Sequence, residues 1–454
     1  MNRRALYEGL AAIVGTDNVT DLDFDLYAYS RDLSPARERV ASIVARPRST
    51  SEVSAIMRLA NRNRLPIYVR GGGSSHWAAW LPVHGGLLLD MYAMEDVLEI
   101  DDKNLTATVQ SGCTWYKLDR GLRKKGLTYL SSEMGGPAMT VGGSIIKAGG
   151  GPYGTTKFGL HGQCDVLGLE FVLPTGEIVR TGSGAYLGVP QFRRYGIGPD
   201  LTGLLIGSEG TLGILTEATL QVRPIPEADD YLSFTFNDWN NVMEVGDAIT
   251  RTFGDEIAYA FEASEESSAL GTVTVRVQLY GYDREMLEYR RRKLREICDK
   301  QKGKEVDASI SQEFFTRVTK GLKGLFDQGV WHFTGCGLIP IRRLPEFNGV
   351  WREIVARKYK FPRCTFGAWT FPRGWTVYAH LRYIEPDELE TILTISNEMN
   401  SRFMEMGIVP FGIGGPDGAL PFIRGRLGSY YELLRSVKKA LDPNDILQPG
   451  ILVE

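Results

Sequence analysis

Residues Pro66–His76 read PIYVRGGGSSH, in which a short apolar strand, Ile67–Val69, is followed by Arg70 and three consecutive glycines. Glycine lacks a Cβ atom, so Gly71–Gly73 can turn sharply and bring backbone N–H groups close to a ligand. Such a run of amides forms an anion-binding nest, to which Arg70 adds a charge and Ser74–Ser75 add hydroxyl donors. The stretch alone predicts either a phosphate cradle or a plain glycine-rich turn.

Composition restricts the class of protein. The chain has 454 residues, 43% of them hydrophobic and 24% charged, which predicts roughly two to four globular domains. Its formal net charge of -3 gives no indication of a nucleic acid or an anionic membrane as partner. The N-terminus reads as an amphipathic helix ended by Gly15, and no apolar run is long enough to span a bilayer. We therefore expect a cytoplasmic protein.

The five cysteines stand far apart and form no CxxC pair. This spacing predicts neither an iron–sulfur cluster nor a zinc site. The cysteines are expected to be free thiols in a reducing compartment.

A βαβ unit surrounds the first glycine loop. The β-branched run Arg39–Ala45 is followed by Ser49 and Glu52, which match a capping box, and then by apolar residues at helical spacing. The strand Ile67–Val69 comes next, so the two strands should run parallel. The glycine loop then lies at the carboxyl end of a strand, where open α/β sheets bind ligands.

Two further glycine-rich stretches follow. Residues Gly135–Gly154 read GGPAMTVGGSIIKAGGGPYG, and their dense glycines predict irregular backbone laid along a flat or charged ligand. Gly149, Gly151 and Gly154 match a dinucleotide-fold fingerprint formally, but no strand precedes them, Pro152 interrupts them and no helix is expected after them. Gly207–Ile214, GSEGTLGI, leads into a strand and then into Pro224 and Pro226, where we place a domain boundary.

Beyond Tyr231 glycine becomes sparse, and strands alternate with longer helices. The pattern predicts five strands, at Tyr231–Phe236, Val273–Gly281, Gly335–Ile339, Cys364–Phe371 and Trp375–Ile384. It predicts helices from about Trp239, over Arg284–Lys300, at Glu388–Met406 and at about Leu427–Leu441.

Taken together, the motifs resemble the vanillyl-alcohol oxidase / p-cresol methylhydroxylase flavoprotein family, which includes glycolate oxidase and D-lactate dehydrogenase flavin subunits. The resemblance covers nearly the whole chain. It rests on RGGGSS (Arg70–Ser75), TVGGSI (Thr140–Ile145), GSEGTLGILTEATL (Gly207–Leu220) and LDPNDILQPG (Leu441–Gly450). It implies an α+β fold with a two-lobed FAD-binding domain, residues 1–226 plus a returning tail at 416–454. A cap domain at 227–415, with a mixed or antiparallel sheet covered by helices, would form the substrate pocket.

The same resemblance implies a set of FAD-binding residues. The first loop would hold the pyrophosphate, the second would run beside the ribityl chain and the ring, Ile214 would contact the adenine side, and Asn444 would close over the flavin. The implied set is Arg70, Gly71, Gly72, Gly73, Ser74, Ser75, Pro137, Thr140, Gly142, Gly143, Ser144, Gly149, Gly150, Tyr153, Gly154, Ile214 and Asn444.

This sequence departs from the family pattern in two ways. Several relatives attach FAD covalently to a histidine in the first loop, where this chain has Ser74, or in a cap strand, where it has Thr376 and Val377. We therefore expect noncovalent FAD, with a link to His76 as the alternative. The histidine-rich metal motif of hydroxy-acid members is also missing, and their later Gly-Glu-His-Gly is replaced at Phe411–Gly418 by FGIGGPDG, so no metal site is expected.

An enzyme that oxidises an alcohol needs a base within hydrogen-bond reach of the substrate hydroxyl. On the strand Trp375–Ile384, Tyr378, His380 and Arg382 share one face, and this row could supply a base and a carboxylate-binding cation. Alternatively the row is the solvent face of a cap strand, or His380 is a structural histidine. His161 and His332 are lesser candidates.

Three functions remain open at this stage. The first is FAD-dependent oxidation, by a dehydrogenase rather than an oxidase, of a small 2-hydroxy acid or alcohol, with electrons passing to an acceptor protein or a quinone. The second is p-cresol-type oxidation of an alkylphenol side chain with a cytochrome as acceptor. The third is a flavin electron-transfer subunit of a larger complex. The sequence leaves open whether the chain forms a homodimer or is a subunit of a larger redox complex.

Overall fold

The computed structural model describes residues 3–131, 138–151, 154–162, 165–196, 198–253, 260–320, 330–371, 374–384, 387–410 and 419–453. Within these residues the strands form three sheets, of four, six and eight strands. Parallel pairing is confined to the first sheet, and the other two sheets are antiparallel throughout their described pairs. Together with separate helices, this arrangement is an α+β fold.

The first sheet presents the first glycine loop. Its strands are β1 (Val19–Thr20), β2 (Ile43–Ala45), β3 (Ile67–Arg70) and β4 (Leu87–Asp90), and its helices are α1 (Arg3–Val14), α2 (Asp23–Ala28) and α3 (Thr50–Asn63). The predicted parallel direction of β2 and β3 is confirmed, although β4 lies between them and pairs with both. Ser49 caps α3 as predicted, because its side chain accepts a hydrogen bond from the Glu52 backbone N–H.

The second sheet is built around one long strand. It contains β5 (Val97–Asp101), β6 (Thr106–Gln110), β7 (Leu127–Tyr129), β8 (Val166–Val172), β9 (Ile178–Arg180) and β10 (Ile214–Pro224), with helices α4 (Trp115–Arg123), α5 (Val141–Ile146), α6 (Thr155–Phe158) and α7 (Leu201–Leu205). β10 pairs with β6, β7 and β8.

The second glycine-rich stretch corrects two predictions. It contains the regular helix α5, because the Thr140 side chain caps it by accepting from the Gly143 N–H at 3.2 Å. A one-turn helix, α6, also begins immediately after Gly154, whose positive φ of 68° suits a glycine at that position. The expectation that no helix follows this loop is therefore wrong, whereas the element directly before Gly149 is α5 and not a strand.

The third sheet forms the middle of the chain. Its strands are β11 (Ala228–Phe236), β12 (Ala260–Glu266), β13 (Val273–Gly281), β14 (Lys304–Val306), β15 (Val330–Pro340), β16 (Cys364–Phe371), β17 (Gly374–Tyr383) and β18 (Val409–Pro410). The helices of this region are α8 (Trp239–Phe253), α9 (Arg284–Lys300), α10 (Ser309–Lys320), α11 (Leu344–Trp351) with a π-helical continuation at Arg352–Lys358, and α12 (Leu389–Glu405).

The two faces of this sheet differ. Val377, Ala379 and Leu381 of β17 lie in a hydrophobic core shared with α8, α11 and α12. The opposite face meets the first part of the chain, where Thr156 of α6 accepts a hydrogen bond from the Phe261 N–H at 3.0 Å. The sheet is therefore positioned with one face against the glycine loops.

The C-terminal tail returns to the first sheet. After α13 (Leu420–Ile423) and α14 (Ser429–Leu441), the Ile67 N–H donates to Ile446 O at 2.7 Å and the Gln448 N–H donates to Ile67 O at 2.8 Å. These contacts, and the start of the third sheet at Ala228, support the proposed division of the chain at Pro226. None of the described helices is long and apolar enough to cross a membrane.

Candidate cofactor and substrate site

The first two glycine-rich loops pack directly on each other. A Cβ atom added to Gly72 would lie 1.6 Å from the Ala138 carbonyl oxygen, and one added to Gly71 would lie 2.5 Å from Thr140 Oγ1. Both distances are far below van der Waals contact, so only glycine permits this approach. The bare backbone of the first loop is thereby fixed against the segment that begins α5.

Arg70 supports the first loop from beneath. Its guanidinium lies 3.5 Å from Asp90 Oδ2 and between the rings of Tyr29 and Trp80, at 5.0 and 5.3 Å from their centroids. A Cβ on Gly73 would lie 2.2 Å from Arg70 Nη2. Arg70 is not among the residues that line the two cavities of this site, and its described contacts lie beneath the loop.

The second loop is held by a buried aromatic pair. Trp115 donates from Nε1 to Ser144 Oγ at 2.9 Å, and the His161 ring stacks on Trp115 with centroids 4.8 Å apart. The backbone N–H of His161 donates to Gly149 O at 2.9 Å, and its imidazole Nδ1 forms an ion-pair contact with the Asp165 carboxylate. His161 thus positions the loop from behind and does not line the cavity.

The tail contributes Gln448, which the sequence analysis missed. Gln448 Nε2 donates to Ala79 O at 3.2 Å and to Glu209 O at 2.9 Å, while its Oε1 accepts from the Val69 N–H at 3.1 Å. The predicted residue, Asn444, is exposed and bonds to Asn61 at 2.7 Å, so it does not reach the cavity. The only available signal was the position of Gln448 directly before a Pro-Gly stop.

The loops and the third sheet line a cavity that is open to solvent, and its space together with the solvent at its mouth amounts to about 1080 Å³. Its loop side is lined by Gly71, Gly72, Gly73, Ser74, Ser75, His76, Trp77, Thr140, Gly143, Ser144, Lys147, Gly150 and Gly151. Phe333, Cys336 and Trp369 of the third sheet form the facing wall.

A smaller cavity shares Gly71, Thr140, Gly143 and Gln448 with the larger one, and its space together with adjoining solvent amounts to about 450 Å³. It is also lined by Gly142 and Ile214. The two cavities are therefore neighbours on the two sides of these shared residues.

Besides Arg70, three of the predicted FAD-binding residues do not line either cavity: Gly149, Gly154 and Asn444. Gly149 forms backbone hydrogen bonds within the second loop. Gly154 caps the start of α6, where an added Cβ would lie 2.1 Å from Leu130 O. Pro137 and Tyr153 lie outside the described residues, as does the segment 411–418.

The predicted catalytic row lies behind the aromatic wall. Tyr378 and His380 share a face as expected, with ring centroids 4.4 Å apart, but neither is among the described lining residues. Tyr378 packs on Trp369 at 4.9 Å, and His380 meets Phe333 edge-to-face at 3.7 Å. Both residues therefore contact the wall and not the cavity.

Electrostatics argue against direct proton transfer by Tyr378. Its hydroxyl donates to the buried Glu262 at 2.7 Å, and Glu262 accepts from Arg276 at 2.7 Å. Burial, together with the charge of Glu262, raises the pKa of Tyr378 well above its usual value. Burial, with smaller contributions from His76, Arg382 and His332, lowers the pKa of His380 well below its usual value, so this imidazole is neutral at pH 7.

Arg382 and His332 have structural partners. Arg382 Nη2 lies 3.3 Å from Glu266 Oε2, so the row does not supply the expected carboxylate-binding cation to the cavity. His332 is buried and shares a hydrogen bond with Ser396 Oγ at 2.9 Å, and burial lowers its pKa to about 3.

Comparison with known proteins decides the family. The FAD binding domain family matches residues 41–182. Glycolate oxidase subunit GlcD of Bacillus subtilis (strain 168) is 30% identical over 460 residues, which cover 98% of this chain and 95% of that protein. The chain belongs to the p-cresol methylhydroxylase-type family of FAD-binding flavoproteins. A D-lactate dehydrogenase of Archaeoglobus fulgidus is 26% identical over 434 residues, covering 90% of this flavoprotein and 91% of that one.

Solved structures agree on the fold. Substrate-bound p-cresol methylhydroxylase superposes on this flavoprotein with a TM-score of 0.85 at 18% identity, covering 98% of this chain and 96% of that one. A 4-ethylphenol oxidase from Gulosibacter chungangensis gives 0.84 at 18% identity, covering 99% and 97%. The chain is an FAD-dependent oxidoreductase with this fold.

The residues of this flavoprotein fit FAD. Two neighbouring cavities share lining residues, and the glycines that line them leave backbone amides without side-chain cover. Ser111 Oγ, beside the smaller cavity, is buried without a hydrogen-bond partner among the described residues. An unsatisfied buried hydroxyl is costly, so a bound polar group explains its presence.

Proposed function

We propose that this flavoprotein oxidises a small hydroxylated molecule, a 2-hydroxy acid or an alcohol with an aromatic group. Bound FAD supplies a ring that accepts the hydride. The observation that carries the proposal is the cavity itself, in which loop glycines on one side face Phe333, Cys336 and Trp369 on the other. The relatives' names, glycolate oxidase subunit and D-lactate dehydrogenase, support the hydroxy-acid alternative.

The loops would hold the cofactor through backbone groups. Gly71–Ser75 and the segment Thr140–Ser144 would bind the diphosphate, because exposed N–H groups with hydroxyl donors form an anion nest. Gly150 would flank the ring, and Ile214 would lie beside the other end of the molecule in the smaller cavity. Gln448 would keep the loops in register by joining three backbone segments.

His76 is the group best located to accept the hydroxyl proton. It lines the cavity, with its ring 4.8 Å from that of Phe333 on the facing wall. Imidazole is the side chain most suited to proton transfer near neutral pH. Tyr378 and His380 would act through the wall, by fixing Trp369 and Phe333.

FAD would be held without a covalent bond, since Ser74 stands where several relatives place a histidine. Denaturation in acid followed by filtration tests this point: the yellow colour should leave the polypeptide. A colour that stays with the chain and disappears in His76→Ala would instead establish the alternative link.

Electrons would leave the reduced site to a protein or quinone acceptor. D-lactate dehydrogenases of Arabidopsis thaliana and Saccharomyces cerevisiae, 32% and 30% identical over 230 and 244 residues, carry a cytochrome in their names. Reoxidation should then be faster with cytochrome c or a soluble quinone than with oxygen.

A second candidate function is oxidation of an alkylphenol side chain. The aromatic wall of Phe333 and Trp369 favours it, because a phenol ring packs well between such rings. Anaerobic mixing of the holoenzyme with a panel of 2-hydroxy acids, aromatic alcohols and alkylphenols separates the two. Loss of the oxidised-flavin absorbance with hydroxy acids or alcohols supports the proposal, and loss with alkylphenols alone selects the second candidate.

A further inference from the structure

Among the described residues that line the cavity, one is a lysine or an arginine, Lys147. Lys147 follows the last residue of α5, and its ammonium lies 3.5 Å from Ser75 Oγ and 5.7 Å from the centre of the Trp77 ring. Among the described residues, no carboxylate oxygen lies within 4.0 Å of it. An ammonium held in this way is available to an anionic ligand.

The position of Lys147 places it between the loops and the facing wall. Its charge lowers the pKa of buried Asp32, on the loop side, and that of Cys336, on the wall, although burial outweighs this effect and raises both. Asp32 forms no ion pair with Lys147 within the described residues, and its oxygens accept from the Ser34 and Ala78 amides, each at 2.8 Å. Lys147 therefore faces the interior of the cavity.

Two arginines of the described residues near the site have carboxylate partners. Arg70 pairs with Asp90 beneath the first loop, and Arg382 pairs with Glu266 behind the wall. Arg382 therefore does not present to the cavity the carboxylate-binding group that the sequence suggested. Glu209 is among the residues that line both cavities.

We propose that Lys147 binds the carboxylate of the substrate, while Trp77, Phe333 and Trp369 hold an apolar or aromatic group on its other side. The substrate class is then a 2-hydroxy acid with an aryl or large alkyl substituent, larger than glycolate or lactate. The oxidation of this acid rests on the proposed function, whereas its binding through the carboxylate does not. A phosphate of FAD is the other anion that Lys147 could bind, and the experiment distinguishes it from a carboxylate.

The test uses the holoenzyme with Lys147→Gln and Lys147→Arg. The first readout is the dissociation constant of phenylacetate, a carboxylate without a hydroxyl group, from the change it causes in the flavin spectrum. Loss of a charge-assisted contact should weaken binding about 10- to 100-fold in Lys147→Gln. Lys147→Arg should keep most of the affinity, and phenylacetamide should bind wild type and variant equally.

The second readout is anaerobic flavin reduction by phenyllactate and lactate. We expect phenyllactate to have the lower KM in the wild type and Lys147→Gln to raise this KM with a much smaller effect on kcat. A matched control is Lys157→Gln, because Lys157 also lies over aromatic rings, Phe158 and Tyr280, but is not among the lining residues. This variant should leave both readouts unchanged.

Each result has a defined meaning. Phenylacetate binding that is the same in Lys147→Gln and the wild type overturns the inference. Weaker FAD binding in Lys147→Gln with unchanged phenylacetate binding also overturns it and assigns Lys147 to the diphosphate. If no hydroxy acid reduces the wild-type flavin but phenylacetate binding still depends on Lys147, the proposed function fails and the carboxylate site stands.

Discussion

Gly72→Ala tests whether close contact between the two glycine loops is required for cofactor binding. The new Cβ would lie 1.6 Å from Ala138 O, whereas ordinary contact begins at 3.4 Å. The loops must therefore separate by about 1.8 Å, the difference between these distances. The Ala138 oxygen belongs to the backbone, so no side-chain rotation can relieve the overlap.

The size of the effect follows from hydrogen-bond geometry. A shift of this size takes an N–H···O contact from about 2.9 Å to well beyond the range of a hydrogen bond. Each bond to a charged acceptor contributes about 1.5–3 kcal/mol, so every one that is lost weakens FAD binding about 10- to 100-fold. Overpacking should also destabilise the apoprotein by about 1–3 kcal/mol.

The assay is titration of apoprotein with FAD, followed by quenching of flavin fluorescence, with a thermal melt of each apoprotein. Gly349→Ala is the matched control, because a Cβ at Gly349, within α11, meets nothing within 4 Å. It should bind FAD normally and melt at the same or a slightly higher temperature. Gly72→Ala with the wild-type affinity for FAD would refute the reasoning, whatever its melting temperature.

Three further outcomes are expected. His332 has a pKa of about 3 because of burial, so below pH 6.5 the unfolded chain binds one more proton there. The free energy of unfolding should then fall by about 1.4 kcal/mol per pH unit towards pH 3 from this group, and urea unfolding of His332→Gln should lose that slope. Gln448→Leu removes three hydrogen bonds to backbone groups, two of them buried, and should weaken FAD binding at least 10-fold, whereas normal binding would exclude its role between the loops. Tyr378→Phe removes a hydrogen bond to buried Glu262 and should lower the free energy of unfolding by about 1–3 kcal/mol. Because Tyr378 lies behind the wall, flavin reduction should slow less than about 10-fold. A loss above 100-fold at unchanged stability would show that the phenol takes part in proton transfer.

Local signals in the sequence were sufficient for much of the fold. The Ser49 cap, the strand Val273–Gly281 and the helix Arg284–Lys300 lie where propensity and spacing predict them. In these segments the side-chain pattern and the turn residues agree, so nearest-neighbour preferences determine the structure. The same agreement holds for β17, whose apolar residues all enter the core.

β12 was missed because its stability comes from distant partners. Its sequence, AFEASEE, contains acidic residues at buried positions, which is unusual for a central strand. Glu262 is satisfied by Arg276 and Tyr378, and Glu265 by Arg352 together with Trp239 and Asn348. These pairings join residues far apart in the sequence, so local pattern gives no indication of them.

The site was predicted best where it depends on backbone. Glycines that line the cavity were found because the absence of a side chain is visible in the sequence. Side-chain roles were harder, since Arg70 and Arg382 each have a carboxylate partner that only the fold brings near. The sequence does not predict the position of Lys147 in the cavity lining, because that position depends on how the loops pack against the third sheet.

Anaerobic titration of the purified holoenzyme with a 2-hydroxy acid, monitored by the visible absorbance of the flavin, tests the central claim most directly. The account predicts stoichiometric bleaching by an aryl-substituted acid and recovery of the colour when an electron acceptor is added. Flavin that binds tightly but keeps its oxidised spectrum with every hydroxy acid and alcohol would contradict the proposed reaction.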